Sequence, residues 1–398
     1  MKLKEVTLQD QAARRAFLEL TNRIYAGDPN FIRPLDQDIE NVFDPQKNKF
    51  WRHGKAIRWI LEDEKGKVIG RVAAFINERT ARTDRQQPTG GMGFFECIDN
   101  QDAANLLFDT CRDWLKGQGM EAMDGPINFG EREAWWGLLA EGRHAPVYQM
   151  NYQPAYYLIL FENYGFKVYY KQYVLYRRIM DPVQEKFERG YDALMRDPNY
   201  SFRHIDKSQL RKYASDFMKI YNAAWGGHDN FKLMKEEQAY SLMKKLKPIL
   251  APELAWFGYH KDEPVGFFIM IPDLNQVIKG FNGKFGLLQK LKVWWTLKRK
   301  KTTVCYGIVF GVVPAHQGKG VDAGLIKGAS FVLHPMNHWN HMEMTWIGDF
   351  NPKMLKVAMD VGGEIYKTYY TMRYLFDRNK PFERLPLMGS HASKESQA

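Results

Sequence analysis

Apolar and polar positions alternate in matching ways in the two halves of the chain. Residues 57–62 and 68–76 are apolar, β-prone runs on either side of a charged turn, which predicts a hairpin. Residues 254–260 and 264–271 repeat this pattern. Gly70 and Gly266 occupy equivalent places in the two hairpins and are 196 residues apart.

The two halves also end alike. Helical patterns that begin at Asn151 and Asn351 stop near Gly165 and Gly363, and two tyrosine-rich strands are expected after each. Landmarks at a nearly constant offset indicate a duplicated fold. We predict domains at 1–180 and 181–378, followed by a disordered tail at 379–398.

The order of elements in the second half indicates the fold class. A strand at 200–204 is followed by helices within 208–250, the hairpin and a strand that ends at Val313. A helix at 321–333, a strand at 343–347, a helix from Pro352 and a final strand pair complete the predicted order. This order predicts an α/β (α+β) fold in which a mixed, mostly antiparallel sheet is flanked by helices.

Charge is concentrated in one segment. The net charge is +11, yet residues 279–301 hold eight basic residues and no acidic one. This local basicity disfavours nucleic-acid binding. The segment 285–301 predicts a helix with an apolar face, for which three roles stay open. The helix packs onto its own domain, forms a lid over an acidic ligand, or makes a peripheral membrane contact.

Targeting and metal signals are not found in the sequence. The first residues lack an apolar signal core, and no apolar run reaches the length of a membrane span, so we expect a cytoplasmic protein. Cys97, Cys111 and Cys305 are too widely spaced for a zinc site. We expect no metal, and we interpret Cys305 as a small buried apolar residue.

A glycine-rich turn between a strand and a helix gives the most direct indication of a ligand. The sequence Gln317-Gly318-Lys319-Gly320-Val321-Asp322 offers free backbone N–H groups at a helix N-terminus, which is a favourable phosphate site. The corresponding stretch of the first half, residues 94–105, has no glycine and includes Glu96, Asp99 and Asp102. We therefore predict a single phosphate site.

This turn, together with the hairpin, the helix at Asn351 and the closing strands, resembles the signature of the GNAT superfamily of acyl-CoA-dependent N-acyltransferases. The resemblance implies two tandem GNAT-like domains, of which the first is a degenerate copy. It implies that acetyl-CoA or another acyl-CoA is the cofactor. The implied cofactor-binding residues are Val312, Val313, Gln317, Gly318, Lys319, Gly320, Val321 and Asn351.

The sequence departs from the family pattern at two positions. Asp322 stands where the family prefers glycine or alanine, and Ala358 stands where many members carry the tyrosine that protonates the leaving thiolate. The proton donor is therefore missing or supplied elsewhere.

The resemblance implies direct transfer of an acyl group, expected to be acetyl, to an amine of a small molecule or peptide. The catalytic candidates are Glu343 and Asp349, as bases near strand ends, and Tyr369, a tyrosine near the missing proton donor in sequence. Both acids also suit an exposed site, and Asp349 suits a helix cap. His316 lies in the glycine-rich turn, where a phosphate contact and an exposed position are equally plausible and a role as base is less so. Two alternative functions stay open: a non-catalytic binding protein of the same fold, and a membrane-surface transferase that modifies aminoacyl groups or lipids.

Overall fold

The computed structural model describes residues 1–82, 87–226 and 233–388. The first half contains β1 Lys2–Glu5, α1 Gln11–Ile24, α2 Asp36–Phe43, β2 Gly54–Glu62, β3 Val68–Asn77, β4 Thr89–Cys97, α3 Gln101–Gly117, β5 Ala122–Gly125, β6 Leu138–Glu141, α4 Tyr156–Tyr164 and β7 Lys167–Arg178. The second half contains α5 Glu185–Leu194, β8 Tyr200–His204, α6 Leu210–Trp225, α7 Glu236–Leu246, β9 Ala255–His260, β10 Glu263–Pro272, α8 Asn275–Ile278, α9 Leu287–Lys298, β11 Val304–Val312, α10 Val321–Met336, β12 His341–Gly348, α11 Pro352–Asp360 and β13 Glu364–Leu375.

The strands of both halves form one continuous sheet. Its order is β1-β2-β3-β4-β5-β13-β7-β12-β11-β10-β9-β8, and β6 also pairs with β13. Both predicted hairpins are present, as β2–β3 and β9–β10. Each half contributes one parallel pair, β4–β5 and β11–β12, and the other pairs in the described chain are antiparallel. The predicted fold class is confirmed.

The closing strands of the two halves are exchanged. β7 of the first half pairs with β12 of the second, while β13 pairs with β5 of the first half and with β7. The prediction of two strands after each closing glycine was wrong, because each segment forms a single strand. The boundary predicted at 180/181 follows β7, and it stays a prediction.

Part of the predicted tail lies within the described residues. The backbone N–H of Leu385 donates to Tyr169 O over 3.0 Å, and that of Met388 donates to Phe350 O over 2.8 Å. Residues 389–398 lie outside the described residues.

Helices cover both faces of the second half of the sheet. On one face α10 buries Leu325, Ala329 and Leu333 in a cluster with Trp256 and Met270. On the opposite face, apolar residues of α6 and α7 pack on Phe257 and Phe267. This layering follows from the helical periodicity of the apolar residues, which leaves each helix one face to bury against the sheet.

The strands β11 and β12 separate part-way along their length. Their parallel pairing is limited to Val304–Gly307 of β11 and His341–Met344 of β12. Beyond that point β11 stays with β10 to Val312, while β12 stays with β7 to Gly348. We call the point of separation the fork, which the hydroxyl of Thr345 closes by donating to Gly307 O over 2.8 Å.

Candidate active site

The glycine loop, Gln317 to Gly320, connects β11 with α10 and has two residues in the left-handed region. The φ angles of Gly318 and Gly320 are 72° and 90°, which glycine adopts without strain. Among the bonds of the described chain, none is donated by the backbone N–H groups from Gly318 to Ala323. No side chain caps α10. The loop therefore presents consecutive free donors at the positive end of a helix dipole, as predicted for a phosphate site.

Contacts on both sides hold this loop in place. The Gln317 side-chain amide donates to Val312 O over 3.0 Å, and His316 Nδ1 lies 2.7 Å from the hydroxyl of Tyr200. A Cβ on Gly320 would lie 2.9 Å from Gly190 O, so the close approach of α5 also requires glycine. Burial, with Lys319 nearby, lowers the pKa of His316 and favours its neutral form.

The equivalent helix of the first half has no such site. The Asn100 side chain caps α3 by accepting from the backbone N–H of Ala103 over 2.8 Å. Glu96 is buried, where it accepts hydrogen bonds from the hydroxyls of Tyr25 and Tyr157. The Asn100 cap thus occupies one of the backbone N–H groups that a phosphate would need.

The fork opens into an apolar cavity of about 260 Å³, which we call the fork cavity. It lies between α10, α11 and the ends of the two parallel strands. Its lining residues include Phe268, Gly307, Phe310, Ile326, Met342, Met344, Trp346, Met354, Ala358 and Val361. Ala358, where the family's tyrosine would stand, contributes a methyl group to the wall, so the missing ring leaves space in the cavity.

Strain at the fork supports its functional importance. Trp346 has a φ of 69° and lies where the register between β12 and β7 shifts. Positive φ is unfavourable for a bulky residue, and bulges often mark functional sites. The bulge turns Trp346 toward the fork cavity. Asn351 also lines the cavity, and its side chain caps α11 by accepting from Met354 N over 3.2 Å.

The two valines predicted to bind pantetheine differ in their backbone contacts. The N–H of Val313 donates to Val265 O of β10 over 2.9 Å, so this group is already paired. The C=O of Val312 accepts from Gln317 and therefore faces away from β10, toward the open side of β11. The backbone N–H and C=O groups of Phe310, two residues earlier, face the same open side, because backbone orientation repeats every second residue along a strand.

Comparisons with known proteins agree with this architecture. No family model matches the sequence. A curated relative named "Bacterial ceramide synthase" from Caulobacter vibrioides (strain NA1000 / CB15N) is 26% identical over 379 residues, which cover 92% of this chain and 96% of the relative. "Protein YghO" from Escherichia coli (strain K12) is 25% identical over 362 residues, which cover 89% of this chain and 91% of that relative. A solved structure described as "Tandem GNAT protein from the clavulanic acid biosynthesis pathway" has a TM-score of 0.54 and 10% identity over 96% of this chain and 99% of that chain. The protein has a tandem GNAT fold.

Within this GNAT fold, the predicted catalytic residue Glu343 forms a buried ion pair. Lys367 Nζ lies 2.9 and 2.7 Å from the two carboxylate oxygens of Glu343, and both side chains are almost fully buried. Burial raises the pKa of Glu343, and the Lys367 ammonium counters part of this increase. Both oxygens are thus occupied by Lys367, and Glu343 does not line the fork cavity.

The other two catalytic candidates are also engaged in contacts away from the fork cavity. The Asp349 carboxylate accepts from the backbone N–H of Lys171 over 3.1 Å and pairs with Arg384. The hydroxyl of Tyr369 donates to Asn151 O over 2.8 Å. Burial is the main cause that raises the pKa of Tyr369 well above its ordinary value. The structure places Glu343 near Tyr369 but brings none of the three candidates to the cavity wall.

Two further sequence predictions concern metals and thiols. Helix α10 continues through Pro335 to Met336, so the predicted helix end at 333 was wrong. In the described ranges, no cluster of three or more histidine, cysteine or acidic side chains is arranged to hold a metal ion. Cys305 is buried, as predicted, and burial raises the pKa of its thiol.

Sequence reasoning missed a buried acid, Asp273, next to the Glu343 ion pair. One oxygen of Asp273 accepts from the backbone N–H groups of Tyr148 and Asn275 over 2.9 and 3.0 Å. Burial raises the pKa of Asp273 to about 7, and the charge of Glu343 adds to this effect. The only signal in the sequence was an aspartate that ends an apolar strand, a position that also suits an exposed turn.

We expect Asp273→Asn to change the pH dependence of stability. From the ordinary pKa of 3.8 to the folded value of about 7, the folded chain binds more protons at Asp273 than the unfolded chain. The wild-type free energy of unfolding therefore falls as pH rises through this window. Asparagine keeps the acceptor oxygen but cannot ionise. We expect the variant to be more stable than wild type at pH 8, by up to about 4 kcal/mol at roughly 1.4 kcal/mol per pKa unit.

Urea unfolding at several pH values between 4 and 8 measures this difference. Asp262→Asn, in the exposed turn of the β9–β10 hairpin, serves as the matched control. Parallel stability curves for wild type and Asp273→Asn would contradict the expected titration of Asp273.

Proposed function

We propose that the protein is an N-acyltransferase that moves a long-chain acyl group from acyl-CoA to the amine of a long-chain amino alcohol. The acceptor class is suggested by the relative named as a ceramide synthase, because ceramide is the amide of such a base. That relative matches over nearly the full length of both chains. The fold supports acyl transfer in general, and the residues of this chain support the choice of donor.

The fork cavity is the observation that carries the proposal. It holds about 260 Å³, whereas a single water needs only about 10–15 Å³ of comparable volume. An acetyl group, with two carbons, would leave most of this apolar space empty. A long acyl chain would fill it and gain about 0.8 kcal/mol for each methylene removed from water. We therefore favour a long-chain donor over the acetyl group expected from the sequence.

The residues present suit coenzyme A at one end of this cavity. The free N–H groups from Gly318 to Ala323 would hold the pyrophosphate, and the backbone of Phe310 and Val312 would hold the pantetheine arm. When bound, acyl-CoA supplies a thioester that an amine attacks directly, with the thiol as leaving group. Asp322 lies in the first turn of α10 and forms no ion pair in the described chain. Its negative charge would repel a pyrophosphate bound there.

The chain's own residues restrict how protons move. Ala358 cannot donate a proton, so the thiolate receives its proton from another donor. The apolar wall of the fork cavity excludes water from the acyl chain, which protects the thioester from hydrolysis. In this proposal Glu343 and Lys367 support the sheet beside the site and do not act on the amine.

Gly318→Asp is expected to weaken coenzyme A binding. The position is exposed, and a Cβ there would meet no atom within 4 Å, so packing does not change. Aspartate and asparagine both tolerate positive φ, and only aspartate adds a negative charge to the phosphate site. We expect Gly318→Asp to lower affinity by about 10- to 100-fold and Gly318→Asn by less than about threefold, since like charges a few ångströms apart repel by 1–3 kcal/mol.

Calorimetric titration with coenzyme A measures this effect without requiring turnover. A parallel assay with palmitoyl-CoA and sphinganine, read by mass spectrometry of the amide, tests the reaction itself. Equal losses for the aspartate and asparagine variants would contradict an electrostatic phosphate site. A wild-type chain that binds neither coenzyme A nor palmitoyl-CoA would overturn the proposed function and favour a non-catalytic binding protein.

A further inference from the structure

Helix α9 displays its apolar residues outward instead of packing them on the protein. Leu287 and Leu288 are 74% and 77% exposed, and Leu291, Trp294 and Trp295 are 53%, 55% and 47% exposed. Their spacing places them on one stripe of the helix. No residue of α9 is buried. Of the roles left open by the sequence, packing of this apolar face onto its own domain was therefore wrong.

The opposite side of α9 fixes this orientation. Val293 packs against a small apolar cluster that contains Ile278 and Phe281. The helix is thus attached by its inner side, and its exposed stripe faces solvent. An exposed apolar stripe that contains two tryptophans indicates an interaction surface.

The charges around the stripe identify the kind of surface it would meet. Lys290 and Lys292 flank the stripe on its two sides, and Lys298 and Arg299 lie over the rings of Trp294 and Trp295 at 4.8 and 4.4 Å. Lys300 forms an ion pair with Glu253 over 3.5 Å. Within the described chain, the other basic residues of the 279–301 segment form no ion pair. A local excess of cations around an apolar, tryptophan-containing stripe matches the interface of an anionic bilayer.

A cavity beside the stripe carries further donors. It measures about 290 Å³ and is lined by Trp294 and Lys298 of α9 and by Lys207 and Lys300. Trp339 also lines it, is 97% buried, and its indole N–H has no hydrogen-bond partner among the described residues. An indole N–H group can only donate, so a ligand that pairs with Trp339 would supply an acceptor such as a phosphate oxygen. Glu253 pairs with Lys300, whereas Lys207 donates to Leu250 O over 2.9 Å and keeps its positive charge without an ion pair in the described chain.

We propose that α9 docks the protein onto an anionic phospholipid surface, with the stripe in the interface and the flanking lysines on the headgroups. In the described part of the chain, no helix has the length and apolar character needed to span a bilayer, so the contact would be peripheral. This inference does not depend on the proposed acyl transfer, although a surface contact would give access to lipid substrates.

Co-sedimentation of the full chain with vesicles tests the docking. We expect wild type to bind vesicles of phosphatidylcholine with roughly one-third phosphatidylglycerol, to bind pure phosphatidylcholine at least about tenfold less, and to dissociate as salt rises. The triple variant Lys290→Gln/Lys292→Gln/Lys298→Gln should lose about 100-fold in affinity for the anionic vesicles, at about fivefold for each charge near the surface. Leu288→Ser/Leu291→Ser/Trp295→Ser should lose at least about tenfold.

Matched controls are available elsewhere on the surface. Lys65→Gln/Lys67→Gln/Lys116→Gln removes three exposed charges of the first half, and Ile159→Ser/Phe331→Ser removes two exposed apolar side chains. Both controls should bind like wild type. Absent wild-type binding, or equal losses in the controls, would overturn the inference.

A second copy of the chain is the other occupant that the test distinguishes. A wild-type dimer that the Leu288→Ser/Leu291→Ser/Trp295→Ser variant converts to monomer would assign the stripe to self-association and overturn the membrane contact. Vesicle binding and turnover are separate readouts. Loss of binding with retained acyl transfer, or the reverse, therefore shows which of the two proposals fails.

Discussion

Lys367→Met should lower the free energy of unfolding by about 3–5 kcal/mol, because it leaves a buried charge without its partner. Lys367 is fully buried, and its ammonium lies 2.7 Å from the nearer oxygen of Glu343, which is itself only 3% exposed. Methionine fills a similar volume but cannot neutralise the carboxylate. Chemical unfolding at pH 7, followed by circular dichroism, measures the loss.

The double variant Glu343→Leu/Lys367→Met separates structural from catalytic roles. Replacing both members of a buried ion pair by apolar residues is often neutral or stabilising, so we expect most of the lost stability to return. Because Glu343 does not line the fork cavity, we also expect acyl transfer to stay within about threefold of wild type. A stable double variant without activity would instead support Glu343 as the catalytic residue that the sequence predicts.

Local features of the site were predictable from sequence, while its long-range contacts were not. The glycine loop and the helix start at Asn351 depend on residues close together in the chain, and each appears where the pattern indicates. The matching helix start predicted at Asn151 was wrong, because α4 begins at Tyr156. The partner of Glu343 was not predictable, because Lys367 lies on β13, and β7 separates that strand from β12, which carries Glu343. No periodicity shows which buried lysine faces which buried acid.

Two further features could not be read from the pattern of apolar residues. The segments at 167–178 and 364–375 have similar tyrosine-rich sequences, and either could close either half, so the sequence does not indicate their exchange. The amphipathic pattern of α9 shows that one face is apolar, but not whether that face meets protein or solvent. Only the tertiary position of Val293 shows which side is attached.

The fork cavity gives rise to the second large effect, a change in acyl-chain preference. Wild type is expected to favour long-chain over acetyl donors by at least about 100-fold, because each buried methylene contributes about 0.8 kcal/mol, or roughly fourfold. Met354 is half-buried on the cavity wall. Met354→Trp should fill much of the space and remove this preference.

The matched control is Met359→Trp on the same helix. Met359 is 43% exposed and does not line the fork cavity, so its replacement should leave the preference unchanged. We expect Met354→Trp to lower kcat/KM for palmitoyl-CoA by about 100-fold and for acetyl-CoA by less than about threefold, measured with the same amine acceptor. A uniform loss across chain lengths would indicate damage to the pantetheine site. An unchanged preference would show that the acyl chain binds outside the fork cavity, because a tryptophan at position 354 would occupy the space that the acyl chain needs.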